Sequence, residues 1–151
     1  MRSLDKKVAD LKWVHGYRLL KQRKSEQDAR GRMVEADAAR SAHEAAKNAS
    51  QSALKECLGR AAAGQAFDPI LDQLWRAELS RCEREQGAAL TTLNEAEHIV
   101  EAATMLWRQS ITIADRANED LATARRQLSR AKEQLQLADA EERLSQRASQ
   151  S

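Results

Sequence analysis

The chain has 151 residues, 42 % hydrophobic and 32 % charged, with a net charge of +2 and only five aromatic side chains. Its mean hydropathy is −0.71, and much of its apolar content is alanine, so it can line a narrow seam but cannot fill a thick core. No apolar run approaches the roughly 18 to 20 residues that span a bilayer. The start, Met1-Arg2-Ser3-Leu4-Asp5-Lys6-Lys7, lacks the apolar stretch of a signal peptide, so the sequence predicts a protein kept in the cytosol.

The first predicted element is a helix over about 4–58. Ser3 is its candidate N-cap. Its apolar face opens with Leu4, Val8, Leu11 and Val14, then Tyr17 and Leu20. From Lys21 to Arg32 only Ala29 is apolar, and Gly31 costs the helix about 1 kcal/mol relative to alanine. This segment is expected to be loosely packed or bent. A second stripe then runs through Ala39, Ala42, Ala46, Ala49 and Ala53.

Residues 59–68 form the predicted turn. Gly59 and Gly64 are the candidate helix stops, because glycine takes the left-handed conformation cheaply. Asp68 is a good N-cap, and Pro69 fits the first helical position, where its missing N–H costs nothing.

The second predicted helix covers about 69–147, with a fraying tail at 148–151. At 1.5 Å per residue it would extend roughly 118 Å. Alternating steps of four and three from Trp75 visit an almost wholly apolar row that ends at Leu135 and Ala138, with only Gln86 and Ser110 polar. Nine heptads in register call for a partner helix along their length. One seam position is large (Leu79, Leu93, Val100, Trp107, Leu121, Leu128, Leu135) and the other is mostly alanine, which lets two helix axes approach closely. The fold class is therefore all-α: two long helices forming an antiparallel coiled-coil hairpin, as a single domain over 1–151. Opposed residue numbers would sum to about 128, setting Ala39 against 89, Ala46 against 82 and Ala53 against 75. A parallel homodimer remains the other arrangement of such a seam. In the hairpin, residues beyond about 125 would project past the first helix.

Charge is unevenly placed. Residues 1–30 carry nine Lys/Arg against four Asp/Glu, residues 31–115 nine against thirteen, and residues 116–151 seven against six. A hairpin gathers the positive charge at its two termini. That end either docks on an acidic partner or is simply a solvated helical surface.

Residues able to carry chemistry are few. Glu95-Ala96-Glu97-His98 has the Glu-x-x-His spacing of di-iron bundles, but His15 and His43 have no glutamate three residues before them. No metal or cofactor is expected. Cys57 and Cys82 would lie about 11 residues, or roughly 16 Å, out of register, beyond the Cα separation of about 7 Å that a disulfide allows. Neither cysteine has an evident histidine partner, and five dispersed glycines make no phosphate loop. The carboxylate pairs sit on solvated helix. The sequence reads as a non-enzyme. The basic stretch at 21–24 is short and followed closely by acids, and no basic fork adjoins the zipper, so nucleic-acid binding is not expected.

Protein contacts are the remaining class. Trp75 and Trp107 fall on the seam. Phe67 precedes the N-cap, and its staple partner at 72 is an aspartate, leaving it free as a tip. Ile70, Leu74 and Ala77 follow at helical spacing beside the main stripe. They either cap the hairpin core or form a partner site. Trp13 and Tyr17 form an i, i+4 pair with the same two readings.

At these residues the chain resembles the FliJ/YscO family of type III secretion and flagellar export proteins. The likeness is one of pattern over nearly the whole length. It consists of the size, two unequal helices, the basic start LKWVHGYRLLKQRK, the post-turn segment FDPILDQLWRAELSR, and an isolated Trp107-Arg108. The resemblance implies a cytosolic antiparallel coiled coil that inserts as a stalk in the hexameric export ATPase. It also implies contacts with the large export-gate membrane protein and with secretion chaperones. In the family the gate contact uses an aromatic, a leucine, an alanine and a histidine at steps of four, three and four. Here that spacing falls on Ile70, Leu74, Ala77 and Arg81, so the aromatic and the histidine are replaced. With Phe67 these are the expected gate or chaperone residues. Leu4, Lys7, Val8, Leu11 and Lys12 are the residues expected to enter the ATPase ring. The protein would be an elongated monomer, cytoplasmic or peripheral at the inner-membrane apparatus, promoting export mechanically. The rival readings are a helical-hairpin chaperone or escort, and a structural coiled-coil scaffold or dimer without a motor partner.

Overall fold

The computed structural model describes every residue except Gln65 and Phe67. It contains two helices, α1 (Arg2–Ala62) and α2 (Pro69–Ser149), and no strand among the described residues. The all-α helical hairpin follows as the sequence indicates, with two adjustments, one at each end of α1. Helix α1 starts at Arg2, and the Met1 carbonyl accepts bonds from the Leu4 and Asp5 N–H groups, both at 3.0 Å. Ser3 is therefore inside the helix and Met1 occupies the cap position. At the other end α1 passes through Gly59, whose carbonyl accepts from the Ala63 N–H at 3.1 Å. The stop is Gly64, the one described residue with a left-handed φ, +67°, where an L side chain would be strained. Helix α2 starts as read from the sequence: the Ile70 N–H donates to Asp68 Oδ1 at 3.0 Å. Pro69 supplies the first helical position, and the Asp68 carbonyl accepts from Asp72 at 2.9 Å.

The chain divides into two compact units. One joins Met1–Glu26 to Leu106–Ser151, and the other spans Gln27–Met105 and includes the turn. Within the second unit the covered residues of α2 are Trp75, Leu79, Cys82, Gln86, Ala89, Leu93, Ala96, Val100 and Ala103, together with the rim residues Asp72 and Thr104. Within the first unit the same four–three rhythm continues from Trp107 through Ala131. Every seam position expected between Trp75 and Ala131 is covered. Leu135 and Ala138 are exposed, as is every residue from Lys132 onward. The end of the second helix projects as anticipated, but from Lys132 rather than from about 125.

The stripe on α1 differs from the sequence reading. The covered positions run Leu4, Val8, Leu11, His15, Arg18, Gln22 and Ser25 in the first unit, with Val14 and Glu26 covered at the edges of the row. They continue as Ala29, Arg32, Ala36, Ala39, His43, Ala46, Ser50, Ala53 and Cys57 in the second. This is an unbroken heptad row passing straight through the polar segment. Ala29 within that segment has no exposed surface at all, so the expected loose packing does not hold there. Ala42 and Ala49 are exposed, and His43 and Ser50 take their places. Tyr17 and Leu20 also point away from the seam, at 42 % and 63 % exposure. The physical reason is phase. A strict heptad on α2 demands a strict heptad on α1. Steps of three from Val14 to Tyr17 to Leu20 drift off that line, whatever the side chains are.

The core is thin and built from small side chains. Among the described residues nine are buried: six alanines, Leu93, Leu121 and Cys82. Alanine at the seam lets the backbones approach, so even Cys82 is only 5 % exposed. Both cysteines are free thiols. The register also differs from the expected one. Arg40 pairs across the seam with Glu97 at 3.6 Å, where a sum of about 128 would set it against residue 88. The Arg60 guanidinium lies over Trp75 at 3.4 Å from the ring centroid, where residue 68 was expected. Both are displaced by about one heptad, the slip that a seven-residue repeat cannot itself forbid.

Candidate partner-binding surfaces

The start of α2 carries an apolar strip turned away from the seam. Ile70 is 71 % exposed and Leu74 61 %, with Ala77 and Arg81 exposed at the following helical steps. These four residues share a face because their spacing of four, three and four matches successive turns. Leu71 lies beside them, half exposed. Phe67, the tip residue expected to join them, lies outside the described residues.

Arg81 ends the strip and is held in place. Its Nε donates to Glu78 Oε2 at 3.0 Å and its Nη1 to Glu85 Oε1 at 2.8 Å. The hydrogen bond from Arg81 holds the Glu78 carboxyl below its ordinary range, and the same bond with Glu78 raises Arg81 further. The guanidinium is thus oriented and neutralised by its own helix, so a partner carboxylate would have to compete with two others for it.

Beside the strip, a groove of about 370 Å³ runs between the helices, lined by Ala53, Cys57, Arg60, Leu74, Trp75 and Glu78. Trp75 is half-buried on the seam as expected. Arg60 roofs it and also reaches Glu56 at 3.5 Å. A cation on an indole face ties the last turn of α1 to α2, a contact worth about 0.5–1 kcal/mol at an exposed site.

In the first unit the residues expected to meet an ATPase ring separate into two groups. Leu4, Val8 and Leu11 are half-buried on the hairpin's own seam, whereas Lys7 and Lys12 flank it and are exposed. The three apolar residues therefore hold the terminal end together, and the two lysines are what it presents outward.

Two further surfaces lie in this unit, the first at the aromatic pair that the sequence left open between core cap and partner site. Trp13 and Tyr17 stack with centroids 5.6 Å apart and planes 1° from parallel. Lys21 sits 5.2 Å and Arg18 6.0 Å from the Tyr17 centroid. Trp13 is 71 % exposed, and Leu20 continues the ledge. All three lie opposite the heptad row, a relation visible only when that row is traced through His15, Arg18 and Gln22. The second surface is the uncovered end of α2, where Leu137 and Leu144 are 64 % and 65 % exposed.

The seam leaves two polar atoms buried without a hydrogen bond, His15 Nδ1 and Trp107 Nε1. Both are single atoms on the first unit's seam. His98 is exposed, 3.9 Å from Glu101. Among the described residues no cluster of metal-ligating side chains occurs, and no helix is long and apolar enough to cross a membrane. No protein-family model, characterised protein or solved structure matches the chain.

Proposed function

We propose that this chain is a non-catalytic stalk of a bacterial type III secretion system. Its terminal end binds the hexameric export ATPase, through the outward Lys7 and Lys12 around the Leu4–Val8–Leu11 seam. The face formed by Ile70, Leu74, Ala77 and Arg81 serves the export gate or secretion chaperones. Such a protein acts mechanically, promoting assembly of the ring or coupling it to export, while peripheral to the inner membrane.

One observation supports this reading above the others. The two helices spend their heptad rows on each other, yet each end of the hairpin keeps outward groups that this internal seam does not need. At the turn end these are Ile70 and Leu74. At the terminal end they are Lys7, Lys12 and the uncovered last turns of α2. A paired seam with two unlike, exposed ends suits a connector between two partners.

The test is reconstitution with the purified export ATPase of a type III system. The chain is expected to co-purify with the hexamer and to speed ATP hydrolysis, and Lys7→Glu with Lys12→Glu should abolish both effects. No binding and no stimulation at stoichiometric excess refutes the proposal. The apolar strip at Ile70 and Leu74 also favours a second reading, a hairpin escort for unfolded clients or other chaperones. That protein would bind several unrelated clients through this strip and leave ATP hydrolysis unchanged.

A further inference from the structure

The first unit contains two unpartnered surfaces of opposite character. Residues 11–25 hold five Lys/Arg and no Asp/Glu, while residues 133–142 hold four Asp/Glu and no Lys/Arg, with Lys132 before them and Arg143 and Arg147 after. The basic segment carries the Trp13–Tyr17–Leu20 ledge on the outer side of α1. The acidic segment lies on the uncovered end of α2, beside the exposed Leu137 and Leu144. Each surface offers what the other can use: an aromatic ledge with a cationic rim, and an exposed helix end bearing leucines and carboxylates.

We infer that the two surfaces belong to one interface, in which the acidic end of α2 of one copy docks along the Trp13–Tyr17 ledge of a second copy. The two segments cannot meet within one chain. Helix α1 is antiparallel to α2 and starts at Arg2, so the uncovered end of α2 runs away from its own ledge. In an antiparallel pair of hairpins the contact is reciprocal, each α2 end reaching the other copy's ledge. That arrangement is isologous and closes after two copies. Two like ledges cannot pair directly, because their cations repel. A lipid surface would satisfy the ledge but leave the acidic, leucine-bearing end unmatched. Opposite charge sets the orientation, and Leu137 and Leu144 against the aromatic faces exclude water.

This inference does not rest on the stalk reading, because its test contains only this chain. Sedimentation equilibrium is run over a concentration series at low salt and at about 0.5 M salt, where exposed charges are screened. Wild type is expected to move from 16.9 kDa toward twice that mass, with a dissociation constant at least about tenfold weaker at high salt. Trp13→Ala, whose side chain lies off the seam, should weaken the dimer by about tenfold or more without changing helicity. The pair Lys21→Glu and Lys24→Glu should weaken it similarly, and adding Glu141→Lys and Glu142→Lys in the same chain should restore it. A chain that stays monomeric at every concentration overturns the inference, as does a dimer that survives both the Trp13 and the lysine variants. Pelleting of the monomer with vesicles containing an anionic lipid, abolished by Trp13→Ala, would assign the ledge to a membrane surface and overturn it too.

Discussion

The phase of the α1 stripe makes a sharp prediction, because two alanines close in sequence have opposite environments. Ala36 is 4 % exposed on the seam, whereas Ala42 is fully outside it. Aspartate at either position lowers helix propensity by the same amount, up to about 0.7 kcal/mol. At 42 little else changes. At 36 the carboxylate would enter a groove lined by Met33, Asp37, Arg40, Glu97, Val100 and Glu101. Three of those six are already anionic, and the single arginine is engaged by Asp37 at 2.8 Å and by Glu97. The added charge would be partly desolvated without a free partner, costing about 2 to 4 kcal/mol. For a chain of this size about 2 to 4 °C of melting temperature follow each kcal/mol. Ala36→Asp should therefore melt roughly 4 to 16 °C below wild type, and Ala42→Asp less than about 3 °C below it. Circular dichroism at 222 nm reads both. A larger loss at 42 than at 36 would show that α1 presents the Ala39–Ala42–Ala46–Ala49 face instead, and equal losses would already refute the heptad row traced through His43 and Ser50.

The remaining expectations concern the core, the turn end and acid. Leu121, 3 % exposed, should cost about 2 to 4 kcal/mol when replaced by alanine, whereas Leu106, 59 % exposed, should cost under about 0.5 kcal/mol; urea unfolding separates them. Arg60→Ala removes the cation over Trp75 and should lower stability by about 0.5 to 1 kcal/mol, with a change in Trp75 emission in a background lacking Trp13 and Trp107. Glu78 has a folded-state pKa below its ordinary 4.5 because of Arg81. Its contribution is therefore fully present above pH 4.5 and is lost as pH falls through the depressed value. Glu78→Gln should lower stability slightly at neutral pH and leave the value below the window nearly unchanged, so that the acid-side loss shrinks, as followed by denaturant melts from pH 6 down to pH 2.

The hairpin was readable because its strongest signal is geometric. The α2 row from Trp75 to Ala131 is apolar at almost every seam position, so periodicity alone placed it, and Asp68-Pro69 marked its start. The α1 row was harder to read, because His15, Arg18, Gln22, Ser25, Arg32, His43 and Ser50 occupy seam positions. A thin seam tolerates them: long side chains lay their stems along it and lift their polar ends into water. A reading that follows apolar residues therefore jumps to Ala42 and Ala49, one position before His43 and Ser50. The same jump left the Trp13–Tyr17 pair undecided between core and partner site, which is settled only when its residues are known to lie opposite the row. The strip at Ile70 and Leu74 was legible because it lies beside a row whose phase was already secure.

Register is the part of this fold that a heptad cannot encode. Sliding one helix by seven residues returns a similar sequence of seam positions, and an alanine-rich row weakens the size differences that would mark one alignment as best. What selects the alignment here lies outside the seam. Gly64 stops α1, and Asp68 with Pro69 restarts the chain as α2, which limits how far the helices can slip at the turn. Beyond the turn, Arg60 on Trp75 and Arg40 with Glu97 each favour one alignment over its neighbour seven residues away. These contacts are exposed and individually weak. The short connection is the stronger constraint, because every additional heptad of slip would have to be absorbed by unwinding a turn or more of α1 or α2. Lengthening the connection after Gly64 should therefore release the register before it unfolds the helices. That would appear as loss of the Arg60-dependent Trp75 signal at unchanged helicity.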